Sequence, residues 1–192
     1  MAIVGITGGI GSGKSVVSRF LRSAGYAVYD SDAEAKALMN SDAALRSRLS
    51  ELFGADIYNG DGLDRRLLAS KVFADSAALA RLNAAVHPAV RRHFGEWAQA
   101  RSQSTLLFME SAILVESGFV DLVDAVWLVV APEATRISRI VRRDACTSQE
   151  AQRRIRAQWS DDKKIPYAGS IIVNDDCMPL IPQILTALQD NR

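Results

Sequence analysis

The stretch GGIGSGKS, residues 8–15, follows the apolar run AIVGIT and precedes the amphipathic run SVVSRFL. It matches G-x-x-x-x-G-K-[ST] in full, between an apolar strand and a helix as that pattern requires. Glycines permit positive φ and let backbone N–H groups close on phosphate oxygens. A helix starting near Gly13 aims the positive end of its dipole at the same anion. The phosphate-contacting residues expected from the loop are Gly9, Ile10, Gly11, Ser12, Gly13, Lys14, Ser15 and Val16. Lys14 would neutralise the β- and γ-phosphates, and the Ser15 hydroxyl would ligate Mg²⁺. The opening of the chain is thereby committed to a strand–loop–helix unit for a nucleoside triphosphate. The loop alone does not separate a kinase from a switch or a motor.

Four further apolar runs, at 27–30, 105–109, 125–131 and 170–173, resemble the first at 2–7. Short, nearly unbroken runs of this kind suit parallel strands covered on both faces. With helical segments between them they predict a three-layer, doubly wound α/β fold with a parallel sheet of about five strands. Residues 31–104 contain no good strand and are rich in Ala, Leu and Arg, which predicts a helical insertion. Within it Leu79, Leu82, Val86, Phe94 and Trp97 line one helical face, interrupted at Pro88, and NGDG at 59–62 marks a tight turn. A second helical stretch is expected over 133–159 and a closing helix over 178–189. The organisation expected is one domain over 1–192, with an acceptor-binding insertion at 31–104 and a lid at 133–165.

Bulk properties narrow the partners. The chain has 192 residues, of which 48% are hydrophobic and 23% charged, with a net charge of +1. No global charge calls for nucleic acid or a membrane surface, so neither is expected as a partner. No apolar run approaches the roughly 20 residues that span a bilayer, and the start lacks a basic n-region. Cys146 and Cys177 sit outside any CxxC pair and read as reduced thiols. A cytoplasmic protein is expected.

The chemistry then depends on what surrounds the loop. Asp30 and Asp32 end the second strand, and ligands of open parallel sheets collect at the carboxyl ends of strands. Such a carboxylate accepts a proton from an acceptor hydroxyl or holds water on Mg²⁺; the other reading is an N-cap for the next helix. LLFME ends the third strand with Glu110, in the manner of a Walker B acid that orients Mg²⁺ or its waters. Glu116 either reaches the same rim or lies on the surface. Arg136, Arg139 and Arg143 share a helical face, and Arg142, Arg153, Arg154 and Arg156 follow. Arginine suits bidentate phosphate contact and the charge of phosphoryl transfer, and a mobile segment carrying it excludes water. The alternative is a solvated helix face. His87, before Pro88 at an expected helix boundary, either touches a ligand or packs; for His93 packing is the better reading.

Taken in order, these segments resemble the dephospho-CoA kinase family over nearly the whole chain. GITGGIGSGKS is close to the family's opening, and YDSD resembles its D-A-D with Ser31 in place of alanine. LDRRLLASKVF and LNAAVHPAV resemble its acceptor-domain motifs. ESAILVESG resembles its D-x-P-L-L-F-E stretch, RISRIVRRD its lid, and IIVND its late strand. Ala112, Val115 and Gly169 stand where the family usually has proline, phenylalanine and aspartate, and Glu110 where it has aspartate. The resemblance implies transfer of the γ-phosphate of ATP to the ribose 3′-hydroxyl of dephospho-CoA. It implies Asp32 as general base, Lys14 and Arg139 as catalytic, Arg139 and Arg143 as lid arginines, and Asn174 near adenine. It places Thr7, Asp32, Arg65, His87, Glu110 and Leu114 on the acceptor. Mg²⁺ would be held by Ser15, with Asp32 or Glu110 through water. Another small-molecule P-loop kinase is the runner-up. A P-loop switch or ATPase fits less well, since no water-orienting Gln or base-specificity motif is evident.

Overall fold

The computed structural model describes residues 1–72 and 75–191, so Phe73, the last residue of LDRRLLASKVF, lies outside the described residues. In chain order, β1 (Ala2–Thr7) leads into α1 (Lys14–Ser23) and β2 (Ala27–Asp30). The helices α2 (Ser31–Ser41) and α3 (Ala43–Phe53), the short strands β3 (Tyr58–Asn59) and β4 (Gly62–Leu63), and the helices α4 (Arg65–Val72) and α5 (Ser76–Gln99) follow. The chain continues through β5 (Leu106–Glu110), β6 (Ala125–Val130), α6 (Glu133–Asp144) and α7 (Ser148–Arg156). It ends with α8 (Asp161–Lys164), β7 (Ser170–Val173) and α9 (Leu180–Gln189). Two compact units result, Met1–Asp30 with Ser102–Arg192, and Ser31–Arg101.

The first unit holds an all-parallel five-stranded sheet in the order β2-β5-β1-β6-β7. The five apolar runs of the sequence are its strands. Leu106, Leu107, Phe108 and Met109 are all buried, as a central parallel strand covered on both faces requires. One face packs Val4, Ile6, Phe108, Trp127, Val129 and Ile172 against Val17 and Leu21 of α1 and Ile184 and Leu188 of α9. Phe108 and Trp127 place their ring centroids 5.2 Å apart at its centre. On the other face Leu114 lies so close over β1 that a Cβ on Gly5 would meet Leu114 Cδ2 at 2.6 Å and Val123 Cγ2 at 3.3 Å. Strand register also sets the site: Glu110 pairs with Ile6 on one side and with Asp30 on the other. The loops leaving β1, β2 and β5 therefore share one rim of the sheet.

The second unit is helical, with one addition. β3 and β4 form an antiparallel hairpin around the NGDG turn, where Asn59 Oδ1 accepts from the Asp61 N–H at 2.9 Å. The interruption expected at Pro88 does not occur, because α5 runs unbroken from Ser76 to Gln99. Ala78, Val86, Val90, Phe94 and Ala98 recur at multiples of four residues and are all buried. That stripe keeps its register across the proline, and its burial outweighs the one hydrogen bond the proline removes. His87 consequently sits mid-helix, and Leu79 is 37% exposed while Ala78 takes its place on the buried stripe.

The expected helical stretch over 133–159, by contrast, is divided. Ala145, at φ 49°, turns the chain out of α6, and Thr147 starts α7. The Glu150 N–H donates to Thr147 Oγ1 at 3.2 Å and the Thr147 N–H donates to Glu150 Oε2 at 2.8 Å. This reciprocal cap was present in the sequence as TSQE. Among the described residues no helix is long and apolar enough to cross a membrane.

Gly5→Val is expected to lower unfolding stability by about 1–3 kcal/mol, because the fully buried Leu114 must shift to admit the added side chain. Urea unfolding checks this as a lower midpoint with an unchanged slope; an unchanged midpoint would show that Leu114 repacks freely.

Candidate active site

The loop between β1 and α1 is drawn tight by its own carbonyls. Gly13, at φ 95°, is the N-cap of α1, and a Cβ there would collide with Asn174 Nδ2. Only glycine satisfies both the left-handed backbone and that close approach. Lys14 folds back over the loop, its Nζ donating to Gly8 O at 2.8 Å and Gly9 O at 3.3 Å. Arg136 Nε donates to Ile10 O at 3.0 Å. Arg139 Nη1 donates to Gly11 O at 3.2 Å and Ser12 O at 3.4 Å, and Asn174 Nδ2 donates to Ser12 O at 2.8 Å. The carbonyls from Gly8 to Ser12 thus all face cationic or amide donors. The N–H groups at the start of α1 are the complementary, anion-seeking side of such a loop.

Beside the loop, at the ends of β2 and β5, stand Asp30 and Glu110. Burial pushes the Glu110 carboxyl above its usual value, and the Asp30 charge adds to that. Ser18, Lys14 and Arg22 pull in the opposite direction. Glu110 is therefore a partly buried acid whose charge depends on nearby cations. A cationic ligand at this rim would relieve the repulsion between the two carboxylates.

The other expected residues of this unit are distributed unevenly. Arg139 and Asn174 meet on the loop, with Arg139 Nη2 also reaching Asn174 O at 3.0 Å and Asp176 Oδ1 at 2.6 Å. Arg143 turns away to Asp144 at 2.7 Å, a carboxylate it shares with Arg154. Arg142, Arg153 and Arg156 are exposed. The arginine cluster is therefore split between loop donors and a solvated face. Thr7 and Ser12 are fully buried, and their hydroxyls have no hydrogen-bond partner among the described residues. Leu114 is fully buried against Gly5, whereas Ser15 and Val16 are exposed at the start of α1.

Several contributors escaped the sequence reading. Lys164 is fully buried, donates to Ala112 O at 2.9 Å and pairs with Glu116 Oε1 at 2.9 Å. Glu116 is thus part of an internal ion pair. Gln158 Oε1 accepts from the Ile10 N–H at 2.7 Å, and Arg136 Nη1 lies 3.6 Å from Asp161 Oδ2. No local pattern marks these residues, because their partners are distant in sequence. Arg136 alone carried a signal, as the first member of the arginine face.

Within the second unit, Asp32 occupies the first turn of α2 and is exposed, with Glu34 in the same turn. Arg65 opens α4, whose first turn is capped by Asp64 Oδ1 accepting from the Arg66 and Leu67 N–H groups at 3.0 Å each. His87 is half-buried, and burial followed by the Arg91 charge holds its imidazole below the usual 6.5. His93 Nδ1 lies 3.8 Å from Glu34 Oε2.

A family model described as dephospho-CoA kinase matches residues 2–179. The chain is 46% identical to a dephospho-CoA kinase of Bacteroides fragilis over 96% of this chain and 91% of that one. A crystal structure of a Thermus thermophilus protein superposes with a TM-score of 0.83 at 36% identity, covering 98% of this chain and 95% of that chain. A dephospho-CoA kinase from Campylobacter jejuni has the same fold, with a TM-score of 0.70 at 22% identity and coverage of 98% and 96%.

Glu110 makes folding stability depend on pH. A carboxyl raised above its usual 4.5 binds its proton more tightly in the folded protein than in the unfolded chain. Its contribution to stability is present below that value and is lost as pH rises through the folded value. Glu110→Gln cannot ionise, so it is expected to flatten the decline of the thermal midpoint above pH 4.5. Thermal melts from pH 4 to 8 check this; an equally steep decline in the variant would mean that Glu110 is solvated.

Proposed function

Because the chain belongs to the dephospho-CoA kinase family, we propose how its own residues divide the work of that family's reaction. The γ-phosphoryl group of ATP passes to the ribose 3′-hydroxyl of dephospho-CoA, giving coenzyme A and ADP. The observation that carries the division of roles is the loop itself, with Lys14, Arg136, Arg139 and Asn174 all donating to its carbonyls.

In this reading residues Gly9 to Val16 cradle the phosphates of ATP, with the Ile10, Ser12 and Val16 N–H groups holding the loop's shape through Gln158, Gly9 O and Gly13 O. Lys14 and Arg139 stabilise the charge on the transferring group, as phosphoryl transfer requires. Asn174 lies by the adenine. Asp32 takes the proton of the 3′-hydroxyl as its oxygen bonds to the γ-phosphorus, while the bond to the β–γ bridging oxygen breaks and ADP leaves. Residues 31–104 bind the acceptor, with Arg65 supplying charge. His87, uncharged at neutral pH, supplies a hydrogen bond only. Thr7, Glu110 and Leu114 form the acceptor side of the sheet rim, Leu114 as its apolar backing. Residues 133–165 act as the lid, and Arg143 leaves Asp144 to join the transferring phosphates. One domain over 1–192 in the cytoplasm completes the reading, with Cys146 and Cys177 as free thiols.

Magnesium fits the donors present. The Ser15 hydroxyl and the carboxylates of Glu110 or Asp32 are hard oxygen ligands. Among the described residues no three His, Cys, Asp or Glu side chains converge as a protein-only metal cage. A site of this kind relies on substrate phosphates and waters for its remaining ligands. When bound, the ion neutralises charge on the β- and γ-phosphates.

ATP turnover is expected to rise strongly with dephospho-CoA and little with nucleoside monophosphates. Stimulation by a different acceptor alone would retain the kinase class and remove this acceptor. Asp32→Asn is expected to bind ATP normally and lose about 10²–10⁴-fold in kcat. Unchanged turnover would end the general-base role. EDTA is expected to abolish transfer and added Mg²⁺ to restore it, with Ser15→Ala needing more Mg²⁺ for half-maximal rate; transfer in EDTA would remove the metal from the reading.

A further inference from the structure

The two ends of the helical excursion between β6 and β7 close on one residue of the phosphate loop. From the N-terminal end, Arg136 donates through Nε to Ile10 O at 3.0 Å. From the C-terminal end, Gln158 accepts through Oε1 from the Ile10 N–H at 2.7 Å. Arg136 Nη1 and Asp161 Oδ2, at 3.6 Å, join the two ends to each other. Arg136 is buried, and its guanidinium lies where a Cβ on Gly9 would have to go. The peptide groups on both sides of Ile10 are held from outside the loop.

This hold sits at a chemically defined end of the loop. Lys14 is the side chain that reaches the β- and γ-phosphates in loops of this pattern. Its Nζ rests on Gly8 O and Gly9 O, so the Gly9–Ile10 peptide borders the terminal-phosphate end. Gln158 belongs to a hydrogen-bonded foot of the excursion. The next residue, Trp159, donates its N–H to Glu116 Oε1 at 3.1 Å, and Lys164 closes the foot on Glu116 and Ala112.

We propose that Gln158 is a positioning residue for phosphoryl transfer. By holding the Ile10 N–H, it fixes the Gly9–Ile10 peptide, and with it the turn whose following N–H groups face the terminal phosphate of ATP, and it links that orientation to the foot of the excursion. The proposal rests on the reading that the glycine loop binds the phosphates of ATP. Arg136 and Asp161 close the same ring, but among the described residues Gln158 alone holds the N–H side.

The test compares the wild-type chain with Gln158→Met, which keeps length and removes the acceptor oxygen, and with Gln158→Ala. Equilibrium titration with a non-hydrolysable β,γ-imido ATP analogue and with ADP is the primary measurement. Loss of one oriented hydrogen bond predicts about a tenfold weaker analogue Kd and less than about a twofold change for ADP. The kcat/KM for ATP should fall in parallel, at an unchanged thermal midpoint. A merely structural role would weaken both nucleotides together or lower the midpoint, and either result overturns the proposal, as does no change in a folded variant. Trp159 provides a second readout. The analogue should change the tryptophan emission of the wild type, this change should vanish in Trp159→Phe, and Gln158→Met should lose most of it. Full retention in Gln158→Met overturns the link to the foot. Lys14→Met separates the underlying reading. Equal ATP binding by wild type and Lys14→Met overturns the phosphate-loop reading and this proposal with it. Weaker binding by Lys14→Met with wild-type behaviour of Gln158→Met overturns only the proposal.

Discussion

A loop that aims its amide N–H groups at an anion leaves its carbonyl oxygens facing outward, and those oxygens need donors of their own. Here Lys14, Arg136, Arg139 and Asn174 supply them from Gly8 to Ser12. Three of the four donors are cations. They satisfy the carbonyls and raise the positive potential behind the loop in one arrangement. Charge-assisted bonds of this kind are the stronger class, so the loop is braced by the protein's own side chains.

The rest of the first unit serves that brace. Arg136 and Arg139 come from α6, which follows β6, and Asn174 follows β7. β6 and β7 are neighbours in the sheet, and the Asn174 N–H continues the ladder to Val130 O at 2.8 Å. Parallel pairing therefore delivers the donors to the same rim that β1 gives the loop. On the opposite side of β1, the register with β5 and β2 brings Glu110 and Asp30 to that rim. Burial of Glu110 beside Asp30 keeps an acid of adjustable charge next to a cationic loop.

Much of this was legible in the sequence. The glycine loop, five strands, the insertion and the arginine-rich segment each have a local signature in residue type or periodicity. Other features were hidden for identifiable reasons. Pro88 reads as a break, yet the four-residue stripe through Val86, Val90 and Phe94 carries α5 across it, because buried contact area decides the matter. Arg136, Arg139 and Arg143 look equivalent on a helical wheel. In the structure Arg136 is buried on Ile10, Arg139 spans the loop and Asn174, and Arg143 is held by Asp144. The capping box at Thr147 was readable in TSQE and divides the helical stretch where periodicity alone did not.

What the sequence by itself determined is the glycine-rich strand–loop–helix unit, the parallel α/β class and, through the ordered set of motifs, the family. These rest on short-range patterns: backbone freedom at glycine, apolar runs of strand length, and spacing along a helix. Only the tertiary structure decided which donors hold the loop's carbonyls, that Lys164 lies fully buried on Glu116, and that Gln158 returns to Ile10. Those contacts join residues as far apart as 162 positions, so no window of sequence contains both partners. Their selection follows from burial, where a polar group left without a partner is costly, and the fold alone brings the partners within reach.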